Sequence, residues 1–290
     1  MLTKLQIAKF QEHGFLNTGH VLNDNEVERL NNGLARVMAG DGAGEPELLR
    51  NLAGGEIWAD GKSEVAGVSQ GRTFAANVNV QIVNMWESDA AYWQLLYHPT
   101  ITQMAAQLIG CDQLRVWHDQ IQYKPPGVGA QLEWHQDFPF WLILEPAELV
   151  TAWLALDDTT VENGCMRMVP GSHRWGTHEL TTVDGFSVNY DPTSLPDDAR
   201  TDDVLIEVKR GECHFHHCMT WHGSPINRSD QARRAIAIHY MPGHTRYEPN
   251  GGHVMEARVE VDPGDLLTGT YFPTVYDGGP IDPPPFRADL

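Results

Sequence analysis

The strongest constraint on the fold of this chain is a change in the spacing of its apolar residues. In three segments before residue 110 they recur every three or four positions, as in Val27, Leu30 and Leu34, which is typical of one face of a helix. After Gly110 the sequence predicts short strands at 114–123, 149–157, 204–208, 213–221 and 234–241, separated by turn residues. Helices followed by many short strands predict an α+β chain with a mainly β core, a sandwich or a barrel.

The spacing predicts helices over residues 3–16, 23–40 and 89–109. Residues 40–71 contain eight glycines and predict a long loop, which is either a lid over a site or a surface excursion. From Phe74 to Ile82 apolar residues alternate with amides, so one strand face is apolar and the other faces a polar cavity or water. The amide face consists of Asn77, Asn79 and Gln81.

We expect one domain over residues 1–290. Residues 1–110 form a helical flank that includes the loop 40–71, residues 111–242 form the β core, and residues 243–290 form an irregular tail. This tail is rich in Pro, Gly and Asp and has no periodic apolar spacing. A domain of this length is common among all-β barrels.

The net charge limits the partners. The chain has 39 acidic and 20 basic residues, a formal charge of −19, which repels nucleic-acid phosphates and anionic membranes. The sequence has no apolar run long enough to span a membrane. A metal ion and a small molecule are therefore the expected partners, and the sequence does not indicate an oligomeric state. None of the four cysteines forms a CxxC pair, which favours reduced thiols and a cytoplasmic location.

Two residues of the sequence Trp134-His135-Gln136-Asp137 suit metal binding. On an extended strand, His135 and Asp137 are two positions apart and lie on the same face. Two histidines and one carboxylate on one face of an octahedral ion leave three positions open, as in non-haem Fe(II) oxygenases. The pair alone is weak evidence, because it also occurs as an ordinary surface or core pair.

A second region adds an imidazole and a cation. His222 lies at the end of a predicted strand, immediately before Gly223-Ser224, at a position where barrel sites form. Arg233 begins the next strand and shares a face with Ala235 and Ala237, whereas Arg234 lies on the opposite face. A buried guanidinium requires an anionic partner, and no obvious carboxylate lies on that face, so a ligand carboxylate is a reasonable candidate.

These motifs together resemble the phytanoyl-CoA dioxygenase family of Fe(II)- and 2-oxoglutarate-dependent oxygenases, from about Phe10 to Pro242. The matching sequences are WHQD at 134–137, ENG at 162–164, PGSH at 170–173 and HGSPINRS at 222–229, followed by Arg233. The resemblance implies a double-stranded β-helix, a cupin-like jelly-roll, with flanking N-terminal helices. It implies that His135, Asp137 and His222 bind iron, and that Arg233 and Ser224 bind 2-oxoglutarate.

The strand before the WHQD motif agrees with this assignment. His118, Gln120 and Gln122 share one face, opposite Trp117 and other apolar residues, which suits a barrel with a polar lumen. The resemblance places His118 and Gln122 in contact with 2-oxoglutarate. Candidate substrate contacts are Trp141, Asn77, Asn79 and Gln81, although a core position for Trp141 is equally consistent with the sequence.

Three other histidines are not assigned to the site. His216 and His217 lie on opposite faces of one predicted strand, so at most one points inward, and both are interpreted as core or surface residues. His239 shares a face with Arg233 but lies six residues further along, which is too deep for an obvious ligand.

The predicted activity uses Fe(II), O2 and 2-oxoglutarate to hydroxylate an unactivated C–H bond of a small molecule, such as a secondary metabolite or an amino-acid-like compound. Succinate and CO2 are the co-products. The carboxylate of Asp137 favours hydroxylation over halogenation and leaves desaturation, epoxidation and cyclisation open. The alternatives are a cupin-like metal enzyme that does not use 2-oxoglutarate, and a binding protein without activity.

Overall fold

The computed structural model describes residues 1–59, 73–176, 182–183, 187–188, 201–249 and 252–287. The described helices are α1 (Lys4–His13), α2 (Asp24–Met38), α3 (Met85–Ser88), α4 (Ala90–Leu96) and α5 (Pro99–Ile109). The predicted helix 89–109 is thus two helices, because Pro99 disfavours a helical backbone at the residue that precedes it.

Sixteen strands are described. The first eight are β1 (Phe15–His20), β2 (Leu48–Asn51), β3 (Val80–Val83), β4 (Gln113–Lys124), β5 (Leu132–His135), β6 (Leu144–Glu145), β7 (Val150–Ala155) and β8 (Met166–Met168). The others are β9 (Thr182–Val183), β10 (Ser187–Val188), β11 (Val204–Ile206), β12 (Glu212–His217), β13 (His222–Ser224), β14 (Arg233–Pro242), β15 (Arg246–Tyr247) and β16 (Thr274–Asp277).

Two antiparallel sheets form the core. The larger sheet has the strand order β1-β12-β7-β14-β4-β3-β2, with β16 also paired to β4, and the smaller has the order β11-β8-β13-β5. Strands distant in sequence are neighbours in both sheets, as in a jelly-roll. The predicted mainly β core with flanking helices is therefore confirmed.

The N-terminal helices begin where side chains can satisfy the free backbone amides. Thr3 and Gln6 form a reciprocal capping box at α1, and Asn23 and Glu26 form another at α2. The apolar faces of these helices join a large core cluster with one face of the eight-stranded sheet, including Ile236 of β14. The opposite face of that sheet is consequently directed towards the four-stranded sheet.

Several predicted boundaries are wrong. The helix predicted over 3–16 ends at His13, and the strand predicted over 213–221 ends at His217. Part of the predicted loop 40–71 is strand β2, which pairs with β3, while residues 60–72 lie outside the described part of the chain. The predicted strand 74–82 is reduced to β3, because Asn77 has a left-handed backbone (φ 56°) that interrupts an extended chain. The tail predicted to be irregular contributes β16, whose backbone pairs with β4. Within the described residues, no helix is long and apolar enough to cross a membrane.

Candidate active site

Three potential metal ligands converge between strands β5 and β13. His135 is the last residue of β5, His222 is the first of β13, and the antiparallel register places them opposite each other. Their ring centroids are 4.2 Å apart. The Oδ1 atom of Asp137 lies 3.7 Å from the Nε2 atom of each histidine, and the three ligand atoms lie within 4.8 Å of one another. Two imidazoles and one carboxylate in this arrangement fit a divalent metal ion.

Asp137 reaches this cluster from a turn. Strand β5 ends at His135, and Asp137 has a helical backbone (φ −72°, ψ −43°) at the start of a 3-10 turn. The backbone amides of Asp137 and Phe138 donate to the carbonyl of Cys218 at 2.9 and 3.0 Å, which anchors the turn near the chain that leads to His222. The expectation that one extended strand carries both residues is therefore wrong, although their side chains do converge.

Backbone hydrogen bonds orient both imidazoles. The Nδ1 atom of His135 lies 2.7 Å from the carbonyl of Glu133, and that of His222 lies 2.9 Å from the carbonyl of Thr220. A carbonyl only accepts, so each Nδ1 carries the proton and each Nε2 presents a lone pair to the cluster. Burial lowers the pKa of both histidines, that of His222 to about 3, so both are neutral ligands at pH 7.

The carboxylate of Asp137 supplies the negative charge of the cluster. Burial opposes its ionisation, but His222 and the hydrogen bond from His216 outweigh burial and hold the pKa of Asp137 well below its usual range. The ligand set therefore has the protonation state that metal binding requires, with no proton to be displaced near neutral pH.

Arg233 is a buried cation whose hydrogen-bonding capacity is mostly unused. Its side chain is packed between the two sheets, and the residue is 1% exposed. Its Nη2 atom lies 3.4 Å from the Oγ atom of Ser224, and its guanidinium lies 5.6 Å from the ring centroid of Trp153. Among the described residues, neither Nε nor Nη1 has a hydrogen-bond partner. Burial lowers the pKa of Arg233 to about 10, so the group remains charged at pH 7 and fits a ligand carboxylate.

Two other cations near Arg233, among the described residues, have protein partners. Arg234 lies on the opposite sheet face and forms an ion pair with both carboxylate oxygens of Asp157, at 2.8 and 2.6 Å. Lys124 is opposite Arg233 in the register of β4 and β14, and its Nζ atom donates to the carbonyls of Ser224 and Pro225 at 3.0 and 2.5 Å. Arg233 is thus the cation best placed to accept a ligand anion.

A cavity of about 680 Å³ borders the cluster, and His135 and Asp137 form part of its wall. His118, Gln120 and Gln122 contribute to the wall from alternate positions of β4, as their two-residue period predicts. Apolar side chains complete much of the remaining surface, among them Leu48, Leu52, Val83, Leu132, Phe140 and Trp141. This volume and this mixed lining suit an organic molecule together with a small co-substrate.

Two residues that the resemblance assigns to 2-oxoglutarate lie in this wall. The Nδ1 atom of His118 faces the carbonyl of Asp119 at 3.3 Å and therefore carries the proton, while Nε2 has no partner among the described residues. The Oε1 atom of Gln122 accepts from Trp153 at 3.2 Å, which leaves its NH2 group as a donor. Both side chains can therefore hydrogen-bond to a ligand, and their contact with 2-oxoglutarate stays a prediction.

The residues predicted to contact substrate do not lie together. Trp141 and Gln81 line the cavity, and the Oε1 atom of Gln81 accepts from Arg50 at 2.7 Å. Asn77 is exposed, and Asn79 is buried with its backbone amide bonded to Asn51 at 2.9 Å. Neither Asn77 nor Asn79 forms part of the cavity wall, because the strand that would have aligned them with Gln81 begins only at Val80.

Several residues of this region are not expected from the sequence. The Nε2 atom of His216 lies 3.3 Å from the Oδ2 atom of Asp137, and His239 hydrogen-bonds to Thr151. The alternation of Phe215 in the apolar core with His216 on the opposite face was a usable signal. The cavity wall also includes residues 252–254 and 256–257, for which the sequence has no motif.

Comparison with known proteins agrees with this geometry. The sequence profile of the phytanoyl-CoA dioxygenase (PhyH) family matches residues 10–235. The chain is 25% identical over 251 residues to "Phytanoyl-CoA dioxygenase 1" of Oryza sativa subsp. japonica, covering 82% of this chain and 88% of the relative. It is 31% identical over 153 residues to "Phytanoyl-CoA dioxygenase" of Arabidopsis thaliana, an alignment that spans 53% of each protein, about half of that relative's length.

A solved structure gives the same assignment. The non-heme alpha ketoglutarate dependent carbocyclase SnoK from nogalamycin biosynthesis superposes with a TM-score of 0.75 at 28% identity, covering 94% of this chain and 96% of SnoK. With the ligand cluster and the buried arginine, these similarities are sufficient to assign the family. The chain belongs to the phytanoyl-CoA dioxygenase (PhyH) family and is an Fe(II)- and 2-oxoglutarate-dependent dioxygenase.

Proposed function

We propose that the chain binds Fe(II) through His135, Asp137 and His222, binds 2-oxoglutarate through Arg233, and hydroxylates an unactivated C–H bond of an organic molecule held in the cavity. Succinate and CO2 are the expected co-products. The observation that carries the proposal is the combination of the ligand cluster with a buried guanidinium whose Nε and Nη1 atoms have no hydrogen-bond partner among the described residues. A metal enzyme that did not use 2-oxoglutarate would need the cluster but would gain nothing from an unpaired buried cation.

When bound, iron and 2-oxoglutarate supply the activation of O2 and the oxidising power for a C–H bond. The protein supplies oriented side chains for both. His135 and His222 present neutral nitrogens whose direction is set by backbone carbonyls, and Asp137 contributes one negative charge. Arg233 and Ser224 orient the distal carboxylate of 2-oxoglutarate. Apolar wall residues such as Trp141 exclude water from the remaining space.

The cavity indicates an amphipathic organic substrate. At about 680 Å³ it exceeds the space that 2-oxoglutarate alone requires and falls in the range of sites for drug-sized ligands. Apolar residues alternate in its wall with the amides of Gln81 and Gln120 and with the guanidinium of Arg50. Secondary metabolites and amino-acid derivatives have this combination of apolar surface and polar groups.

Ring formation is a second candidate reaction. The similarity to SnoK covers nearly the whole length of both chains, and SnoK is a carbocyclase. Hydroxylation adds one oxygen atom to the substrate, whereas oxidative ring closure removes two hydrogen atoms. Mass spectrometry of the product, once a substrate is known, distinguishes the two reactions.

Anaerobic visible absorption tests the proposal. We expect a metal-to-ligand charge-transfer band when the protein has received both Fe(II) and 2-oxoglutarate, and no such band with either alone. The variant Asp137→Ala is expected to lose the band and substrate-dependent succinate release, because one ligand and the only charge of the cluster are removed. The control variant Glu148→Ala, which removes an exposed carboxylate 2.9 Å from His244, should keep the band.

Two results would contradict the proposal in different ways. Iron binding without a band on addition of 2-oxoglutarate would favour a metal enzyme that does not use this co-substrate. An Asp137→Ala variant with parental succinate release would remove Asp137 from the ligand set.

A further inference from the structure

A row of polar residues crosses the inner face of the larger sheet beside the ligand cluster. In the strand register His216 of β12 is opposite Thr151 of β7, Thr151 is opposite His239 of β14, and His239 is opposite His118 of β4. All four residues are at most 2% exposed. Buried polar groups in such a row are costly unless they are hydrogen-bonded, so their partners indicate what the row does.

The partner of this row is one oxygen atom of Asp137. The Nε2 atom of His216 lies 3.3 Å from Oδ2, and the Oγ1 atom of Thr151 lies 3.4 Å from the same oxygen. An ionised carboxylate only accepts, so His216 carries its proton on Nε2 and Thr151 donates its hydroxyl proton. The Nδ1 atom of His239, 2.7 Å from Oγ1, then donates to Thr151.

The two oxygens of Asp137 therefore have different environments. Oδ2 accepts hydrogen bonds from His216 and Thr151, while Oδ1 lies 3.7 Å from the Nε2 atoms of both His135 and His222. Oδ1 is thus the oxygen that faces the two candidate imidazole ligands. Because Oδ2 is held by two donors, the carboxylate is prevented from rotating to present both oxygens to the metal.

We propose that His216 is a positioning residue that keeps Asp137 a monodentate ligand through Oδ1. This inference rests on the proposed iron site and adds a residue that supports one of its ligands. A bidentate carboxylate would occupy one of the three positions that the ligand set leaves open, and 2-oxoglutarate and O2 together need all three. His216 thus acts on the metal site through Asp137 without contacting the metal.

The test compares donor-lacking and donor-retaining variants by metal binding and by spectroscopy, without turnover. His216→Phe keeps a ring but removes the donor, His216→Leu is a second donor-lacking variant, and His216→Gln keeps an amide donor of similar reach. The matched control is His214→Phe, the same substitution on the same face of β12 at a buried residue that hydrogen-bonds to Asn17. Anaerobic titration calorimetry measures Co(II) affinity, and pulsed EPR of the vanadyl-loaded protein counts the bound imidazoles.

We expect His216→Phe and His216→Leu to bind Co(II) on the order of 10- to 100-fold more weakly than the parent, the usual cost of losing such a supporting hydrogen bond. His216→Gln and the His214→Phe control should remain within a few-fold of the parent. The electronic spectrum of bound Co(II) should change in the two donor-lacking variants and in neither of the others. The parent protein should show two bound imidazoles.

Three results would overturn the inference. Parental Co(II) affinity in a folded donor-lacking variant would mean that Asp137 needs no support from His216. Equal losses in His216→Gln and His216→Leu would assign the effect to packing, and a third bound imidazole in the parent would make His216 a ligand. A parent protein that binds no metal would refute the proposed iron site as well, which separates that failure from the failure of the role of His216.

Discussion

Replacing Arg233 with methionine separates its proposed role in 2-oxoglutarate binding from its effect on stability. Methionine has similar length and no charge. Among the described residues Arg233 has no carboxylate partner, so the substitution leaves no described carboxylate unpaired. Removing one member of a buried charge pair costs roughly 2–5 kcal/mol of binding energy. The dissociation constant for 2-oxoglutarate should therefore rise about 30- to 4,000-fold, at 1.4 kcal/mol for each factor of ten.

The same change should leave the ligand-free protein at least as stable as the parent. Burying an unpaired guanidinium costs free energy, and replacement of buried ions by apolar side chains is often neutral or stabilising. Thermal unfolding of the Mn(II)-loaded protein measures both effects. At a 2-oxoglutarate concentration 100 times the dissociation constant of the parent, the parent should gain about 2.7 kcal/mol of stability, and Arg233→Met should gain at most about 0.9 kcal/mol.

Arg234→Met is the matched control, because Arg234 is adjacent in sequence but pairs with Asp157. It should lower the free energy of unfolding through loss of that ion pair and leave 2-oxoglutarate affinity unchanged. The reasoning fails if Arg233→Met keeps parental affinity for 2-oxoglutarate. It also fails if the ligand-free variant is destabilised by several kcal/mol, which would indicate that Arg233 is already paired within the protein.

Two further changes test the fold. Burial raises the pKa of Glu87 to about 7 from an ordinary value of 4.5. The free energy of unfolding should therefore fall as the pH rises from about 4.5 through 7. Glu87→Gln should remove that loss and be about 3 kcal/mol more stable than the parent at pH 8, as measured by urea unfolding. The prediction fails if the free energies of unfolding of the variant and the parent change in parallel with pH. Asn23→Ala removes the capping box of α2 and should lower the free energy of unfolding by about 1 kcal/mol without altering the charge-transfer band. Unchanged stability would mean that the cap does not stabilise α2.

Short-range patterns in the sequence predicted much of the β core. Strand β4 was expected at 114–123 and lies at Gln113–Lys124, and its inward residues His118, Gln120 and Gln122 follow directly from the alternation. The opposite faces of Arg233 and Arg234 follow from the same rule, since Ala235 and Ile236 belong to different core clusters. Side-chain parity along a strand is a local property, so it can be deduced without knowledge of the partner strands.

The predictions that failed depended on contacts between distant segments. Strand β2 lies in a glycine-rich stretch with little apolar alternation and exists because β3 pairs with it. Strand β16 lies about 160 residues after its partner β4, and no local pattern distinguishes it from an irregular tail. The left-handed backbone of Asn77 ended an alternation that the sequence continues, which removed Asn77 from the expected amide face.

The sequence by itself determined the chemical identity of the candidate site. His135, Asp137 and His222 are residue types that bind metals, and Arg233 is a cation on a small-residue face; both properties are intrinsic to the side chains and their spacing. Only the tertiary structure decided that His216 supports Asp137, because the contact joins β12 to the turn after β5 across the space between the sheets. Strand register and sheet packing set such contacts, and they depend on interactions along the whole chain.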